Sequence, residues 1–386
     1  MSLTNIMGLL GGLALFLYGM QMMSQGLENA AGNKMQQILE KLTANRFLGV
    51  LVGALITAVI QSSSATTVMV VGFVNAGMMT LNQAVWIIMG ANIGTTITGQ
   101  LIALDAGAVA PIIAFIGVIL IIFSKKEKIG YVGSILAGLG ILFIGMDMMG
   151  GSMEPLAQSQ SFISLLTKFS NPILGILAGT IFTAIIQSSS ASVGILQALA
   201  GSGIVTLDSA AFILFGQNIG TCITAFLAAL GANRNAKRTT IIHITFNVIG
   251  TIIFTILCIT TPLIPVLQGM TESAPKQIAN LHTMFNVTTT LILLPFGTAL
   301  TKLAQHILPD PKTGEPVQGQ IGHLLTKNSD VLGMASITLE ETKRKLEDML
   351  LLAEQNVHSS YDVFLQCDRN VFQQIEKREE QVDEQP

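Results

Sequence analysis

Apolar runs recur along the first 300 residues, and they come in two kinds. Residues 6–27, 83–104, 108–123, 131–150, 208–230, 239–258 and 280–300 read as membrane spans, because about 20 apolar residues cross the hydrocarbon core. Residues 48–60 are different. At about 1.5 Å of rise per residue they reach only about 20 Å, short of a core about 30 Å thick. The polar stretch Gln61-Ser62-Ser63-Ser64 follows them, and then another apolar piece runs to Met79. This pattern predicts a re-entrant hairpin with its tip at depth, where irregular backbone is tolerated only if it lines a cavity or is buried in protein. Residues 173–205 repeat the pattern around Gln187-Ser188-Ser189-Ser190. Two spans are interrupted, one by Gly90-Ala91-Asn92-Ile93-Gly94-Thr95-Thr96 and the other by Asn218-Ile219-Gly220-Thr221, which predicts broken helices.

The similarities form one internal repeat. An offset of 126 positions carries Gln61 onto Gln187, Asn92 onto Asn218 and Gly19-Met20 onto Gly145-Met146 without an insertion. Over residues 48–104 and 174–230 about half of the positions are identical. In membrane transporters, a unit used twice puts the substrate site at the interface between its copies. If each hairpin returns to the side it came from, each copy crosses three times, and an odd count inverts the second copy. The charges agree, since Lys34, Lys41 and Arg46, then Lys125, Lys126 and Lys128, then Arg234, Lys237 and Arg238 all fall on one side. The loops near Asp105 and Glu154 are nearly free of Lys and Arg. Positive loops mark the cytoplasm, so the N-terminus faces outward and the C-terminus lies in the cytoplasm.

The chain thus reads as an all-α polytopic membrane protein of the plasma (inner) membrane. Residues 1–130 make repeat 1, and 131–308 make repeat 2 with an extra C-terminal span. Residues 28–46 read as an amphipathic surface helix, 309–320 as a linker, and 321–386 as a charged cytoplasmic helical segment with Leu339, Leu346, Leu350 and Leu351 at helical spacing. No basic region or small-residue cleavage site accompanies the first apolar run, so residues 6–27 read as a retained span.

Composition narrows the class. Half of the 386 residues are hydrophobic, only 11% are charged, and the mean hydropathy is +0.62; a soluble domain of this size does not look like that. The net charge of −3 argues against nucleic acid as a partner. Cys222, Cys258 and Cys367 are too scattered for a disulfide framework or zinc site. No nucleophile with a matching base, Walker loop or HExxH motif is found, so the chain is not read as an enzyme, and no cofactor is expected.

Two hairpins entering from opposite sides bring both serine-rich tips near the midplane, beside the broken helices. Helix N-termini there suit an anion, and hydroxyl and backbone oxygens suit a hard cation such as Na⁺. A lone serine would read as helix packing. A glutamine with three serines, twice, each followed by a glycine-broken span with asparagine, reads as a binding site. No Lys or Arg lies inside a hairpin or broken span, so an anion must be neutralised by helix ends and co-bound cations, which favours symport. No carboxylate sits near mid-span for a proton relay, leaving Na⁺ as the coupling ion. His243 and His282 open two His-x-x-Phe-Asn patterns that read as interhelical polar contacts. Trp86 and Tyr131 read as interface anchors, and the Met-rich pieces at 20–23 and 146–149 as packing.

The duplicated Gln-Ser-Ser-Ser, each followed 31 positions later by Asn-Ile-Gly-Thr, resembles the type II sodium-phosphate cotransporter family over roughly residues 6–300. The resemblance implies a sodium-coupled symporter of inorganic phosphate working by alternating access. It implies that Gln61, Ser62, Ser63, Ser64 and Thr66, with Gln187, Ser188, Ser189, Ser190 and Ser192, bind phosphate and Na⁺. Asn92, Thr95, Asn218 and Thr221 would line the site, with Thr96 in the same broken span. The short join at 124–130 looks like a bacterial member, and residues 321–386 look like the start of a PhoU-like domain. Besides membrane lipid, a homodimer and a regulatory partner at residues 321–386 are compatible with this reading. Rival readings are a Na⁺ symporter of another oxyanion, such as sulfate or a dicarboxylate, and a membrane phosphate sensor.

Overall fold

The computed structural model describes residues 3–31, 45–104, 106–124, 126–157 and 168–310, and every regular element among them is helical. The expected surface helix over 28–46 and the segments 309–320 and 321–386 lie wholly or largely outside the described residues. In chain order the helices are α1 (Leu3–Ala31), α2 (Arg46–Ile60), α3 (Ser63–Asn75), α4 (Leu81–Gly94), α5 (Thr96–Ile102), α6 (Ala110–Phe123) and α7 (Glu127–Ala157). They continue with α8 (Pro172–Ile186), α9 (Ser189–Gly201), α10 (Leu207–Gly220), α11 (Cys222–Ala228), α12 (Arg234–Thr260), α13 (Leu263–Met270), α14 (Ala274–Leu293) and α15 (Gly297–Ile307). Among the described residues, six runs are long and apolar enough to cross a membrane: 3–30, 81–102, 127–153, 207–228, 234–260 and 274–307. The expected span at 108–123 is a shorter apolar helix, 107–123, whose large residues Ile112, Phe115, Ile122 and Phe123 are exposed, as a lipid-facing surface requires.

Close helix packing follows from where the small residues fall. A Cβ on Gly12 of α1 would meet the Gly145 carbonyl of α7 at 2.8 Å, and one on Gly145 would meet the Gly12 carbonyl at 2.6 Å. Only glycine lets the two backbones approach this closely. Polar capping then sets the helix ends. Asn45 and Asn171 cap α2 and α8 through hydrogen bonds to the amides of Phe47 and Ile173. Thr80 and Gln83 form a reciprocal capping box on α4.

The cross-repeat contacts determine where the tips lie. Helix α3 of the first repeat packs on α11 of the second, and α9 of the second packs on α5 of the first. Helix α12 flanks α3 and α11, and α14 flanks α5 and α9. Phe212, Phe215, Phe254 and Phe285 fill the space between α10, α12 and α14, with the Phe215 and Phe285 rings stacked 5.1 Å apart.

Two expectations change here. The broken helices are interrupted at single residues, Thr95 and Thr221, whose dihedrals stay helical (φ −64°, ψ −22° and φ −58°, ψ −27°). The glycines and threonines therefore loosen these spans without unwinding them. Trp86 is buried, not anchored at an interface: its ring packs where a Cβ on Gly297 would have to go, with the Arg46 guanidinium 5.9 Å from the ring centroid.

Candidate functional site

Both serine-rich stretches interrupt a helix pair in the same way. Helix α2 ends at Gln61 with φ 58° and ψ 22°, and α8 ends at Gln187 with φ 59° and ψ 19°. Among the described residues these are the two non-glycine positions in the left-handed region. A side chain there costs about 1–2 kcal/mol, and such strain persists where the surrounding structure demands it, commonly at functional sites. The next residue caps the following helix. The hydroxyl of Ser62 accepts from the Ala65 amide at 3.1 Å, and that of Ser188 from the Ala191 amide at 3.2 Å. Each cap serves the third amide of its helix, so the amides of Ser63 and Ser64, and of Ser189 and Ser190, have no intrahelical acceptor.

The two stretches meet. Ser63 Oγ lies 3.4 Å from Ser189 Oγ. The Ser64 hydroxyl donates to the Gln187 carbonyl at 3.5 Å, and the Ser190 hydroxyl to the Gln61 carbonyl at 3.4 Å. Gln61, Ser62, Ser63, Ser64, Gln187, Ser188, Ser189 and Ser190 together line a cavity of about 70 Å³. Two helix N-termini, each with a partial positive charge and free amides, point at this space. Its lining offers hydroxyls, amides and carbonyls, and no formal charge.

The other residues singled out in the sequence stand off this wall. Thr66 accepts from the Thr57 hydroxyl at 2.9 Å and donates to the Ser62 carbonyl at 3.1 Å. Asn92 and Asn218 turn their amide nitrogens back to the carbonyls of Ile88 and Leu214, both at 2.9 Å. Thr96 and Thr221 donate back across the breaks, to the carbonyls of Ile93 in α4 and Gln217 in α10. Thr95 and Ser192 are buried with hydroxyls that have no partner. In the two His-x-x-Phe-Asn patterns the asparagines make the expected interhelical contacts, Asn247 donating to Cys222 Sγ at 3.3 Å and Asn286 to Asn218 Oδ1 at 3.4 Å, whereas the His243 and His282 rings are buried without a hydrogen-bond partner.

Three residues near the tips escaped the sequence reading. Thr98 accepts from the Ser190 hydroxyl at 3.4 Å. Gln197 ties α9 to two carbonyls, of Gly99 and Pro275, each at 3.0 Å. Ser24 of α1 donates to the Ile60 carbonyl at 2.7 Å, one residue before the first tip. Thr98 had a signal, since it extends the Asn-Ile-Gly-Thr run by one helical turn and recurs at Thr224. Ser24 and Gln197 had none, because their twins are Gly150 and Val71.

The sequence profile of a family described as Na⁺/Pi-cotransporter matches residues 15–151 and again 145–263. The chain is 32% identical to the Bacillus subtilis protein YqeW over 295 residues, which is 76% of this chain and 95% of that protein. It is 26% identical to the Salmonella typhimurium protein YjbB, provisionally named for inorganic phosphate export, over 87% of this chain. The match spans only 60% of YjbB's length. A 98-residue part, 25% of the chain, is 38% identical to human sodium-dependent phosphate transport protein 2B, covering 14% of that protein. No solved structure matches the chain.

Proposed function

Because the chain belongs to the Na⁺/Pi-cotransporter family, we propose that it is a sodium-coupled symporter of inorganic phosphate whose binding site is the cavity between the two serine-rich tips. On this reading the helix pairs α2–α3 and α8–α9 are re-entrant hairpins of two inverted repeats. Their tips share one site near the middle of the inner membrane. Phosphate takes the amides of Ser63, Ser64, Ser189 and Ser190 and the hydroxyls around them. Co-bound Na⁺ supplies the positive charge that the neutral lining lacks. Transport follows when α2–α3 and α8–α9 move against the flanking helices and expose the site to each side in turn.

The observation that carries this reading is the meeting of Ser63 and Ser189 at 3.4 Å around one small cavity. Sulfate, an oxyanion of the same tetrahedral shape, is the competitor to test. Purified protein in proteoliposomes, given labelled phosphate under an inward Na⁺ gradient, is expected to accumulate it. Unlabelled phosphate should compete and equimolar sulfate should not. Equal competition by sulfate would replace phosphate as the substrate, and uptake indifferent to Na⁺ would remove the coupling ion.

A second reading concerns direction. The YjbB relatives are named for phosphate export, and the Salmonella one aligns with 87% of this chain. In the same vesicles, loaded with phosphate and Na⁺, a carrier working in export releases phosphate down an outward Na⁺ gradient faster than it loads under the inward one.

A further inference from the structure

The first turns of α12 hold two other parts of the chain at once. Asn233 caps the helix, its Oδ1 accepting from the Ala236 amide at 3.0 Å. Its donors reach the end of α3: the backbone amide donates to Asn75 Oδ1 at 2.8 Å, and Nδ2 donates to the Asn75 carbonyl at 2.7 Å. Asn75 is the last residue of α3, the returning arm of the α2–α3 pair. About one turn further along α12, Arg238 grips the chain just past α15. Its Nε donates to the Leu308 carbonyl at 3.0 Å and its Nη2 to Asp310 Oδ1 at 2.7 Å, while Nη1 donates to Asn235 Oδ1 at 2.8 Å. Arg234 adds a bond from Nη1 to the Pro309 carbonyl at 2.6 Å.

Capping of α15 explains only part of this. Carbonyls past a helix end attract cations, and Arg234 answers them from an exposed position. Arg238 is different, because its side chain is 4% exposed whereas that of its carboxylate partner Asp310 is 76% exposed. Removing one partner of such a pair leaves a buried charge uncompensated. The counter-ion here sits on the residue from which 311–386 continue, so Arg238 keeps its place only while 308–310 stay against α12. The Nη1 bond to Asn235 passes that dependence into the first turn of α12, two residues from Asn233. Beside it, Ala236 packs in one cluster with Val71 of α3 and with Ala225 and Ala229. The contacts from Asp310 to Asn75 are thus continuous, which is the physical requirement for two places to be coupled.

Among the described residues the second repeat has no such connection. The counterpart of Asn75 at the 126-residue offset is Gly201, which has no side chain to offer. It stands at the start of α14, where a Cβ on it would lie 3.4 Å from Pro275 Cγ, and the tie there is the Gln197 bond to the Pro275 carbonyl. Each returning arm therefore ends against the first turn of a flanking helix, but α3 ends against the one that also holds 308–310. We propose that the first two turns of α12 are a strap between residues 308–310 and α3. While Asp310 pairs with Arg238 the α2–α3 pair is held, and displacement of 308–310 frees it to move. The proposal rests on the reading that α2–α3 moves during transport, and it gives the chain beyond Asp310 a control over the rate through the first repeat alone.

Hydrogen exchange of the full chain in detergent reads the strap without transport. Asp310→Asn removes only an exposed charge and should quicken amide exchange over residues 70–78 about five-fold, leaving the counterpart 196–204 unchanged. Asp310→Glu should exchange as wild type does. In a background of Asn75→Ala with Asn233→Ser, serine still caps α12 and both side-chain ties to α3 are gone, so Asp310→Asn should add nothing there. In proteoliposomes, Asp310→Asn should raise the maximal rate of Na⁺-driven phosphate uptake about two-fold at unchanged half-saturating phosphate. Exchange over 70–78 that ignores Asp310→Asn, or that rises equally in both backgrounds, would overturn the strap and leave the symport reading standing. Quickened exchange with unchanged uptake would overturn its control of the rate. Wild-type uptake indifferent to Na⁺ would overturn the symport reading alone, because the exchange result does not depend on it.

Discussion

Gln61 and Gln187 have the same backbone conformation to within a few degrees, yet their surroundings are opposite. Gln61 is 5% exposed, whereas Gln187 is open. Along α2, the residues Val52, Ile56 and Ile60 are buried with the glycines and Thr57. Along α8, only Gly175, Gly179 and Thr183 are, and Ile173, Leu177, Ile181 and Ile185 face outward. The difference comes from α1, which packs on α2 and hydrogen-bonds the Ile60 carbonyl through Ser24. Its twin α7 carries Gly150 there and can make no such bond. Duplication has therefore produced two tips of one shape, and their neighbours decide which is covered.

The largest effect is expected at the position where the tips are equivalent. If Ser63 and Ser189 face phosphate as proposed, Ser63→Ala and Ser189→Ala each remove a hydroxyl bonded to a charged ligand, worth about 1.5–3 kcal/mol. Phosphate uptake efficiency should fall about 10- to 100-fold, by similar factors in both variants, with the protein still eluting as a folded species. A loss confined to one tip would break the equivalence. Next comes Gln197→Val, which gives repeat 2 the residue of repeat 1 and frees the carbonyls of Gly99 and Pro275. At about 1 kcal/mol per hydrogen bond, stability should drop by about 2 kcal/mol, read as an earlier thermal transition, while the reverse change Val71→Gln brings no matching gain.

Smaller effects test the asymmetry itself. Thr57→Val removes one buried hydrogen bond and should cost about 1 kcal/mol of stability. Ser24→Ala should release the cover on the first tip by a similar or smaller amount. Labelling of a Gln61→Cys variant by a membrane-impermeant thiol reagent would then quicken by up to about five-fold, and labelling of Gln187→Cys would not. Unchanged labelling at both positions would mean that α1 does not control access to the first tip.

Much of this was legible in the chain. Apolar run length marked six of the seven expected spans, while 108–123 came out as short an apolar helix as α2 and α8, and the 126-residue offset paired the tips. The contact between Ser63 and Ser189 was implied by the pairing, but its closeness was not. What stayed hidden depends on packing between distant elements. Ser24 looks like any hydroxyl within an apolar helix until Ile60 is beside it. The depth of Trp86 depends on Gly297, more than 200 positions away. Helix α13 falls in a stretch with Pro262 and Pro265 that reads as a connection between spans. The two broken helices were overread: glycine and threonine runs permit unwinding, but neighbours keep Thr95 and Thr221 helical.

The convergence of the tips on one phosphate site is tested most directly by a cross-link. With Cys222, Cys258 and Cys367 replaced, a Ser63→Cys, Ser189→Cys pair places two thiols where the native hydroxyls approach to 3.4 Å, a spacing from which a disulfide can close with small side-chain adjustments. Mild oxidation in native membranes should form the bond rapidly. A pair that never cross-links would contradict the account.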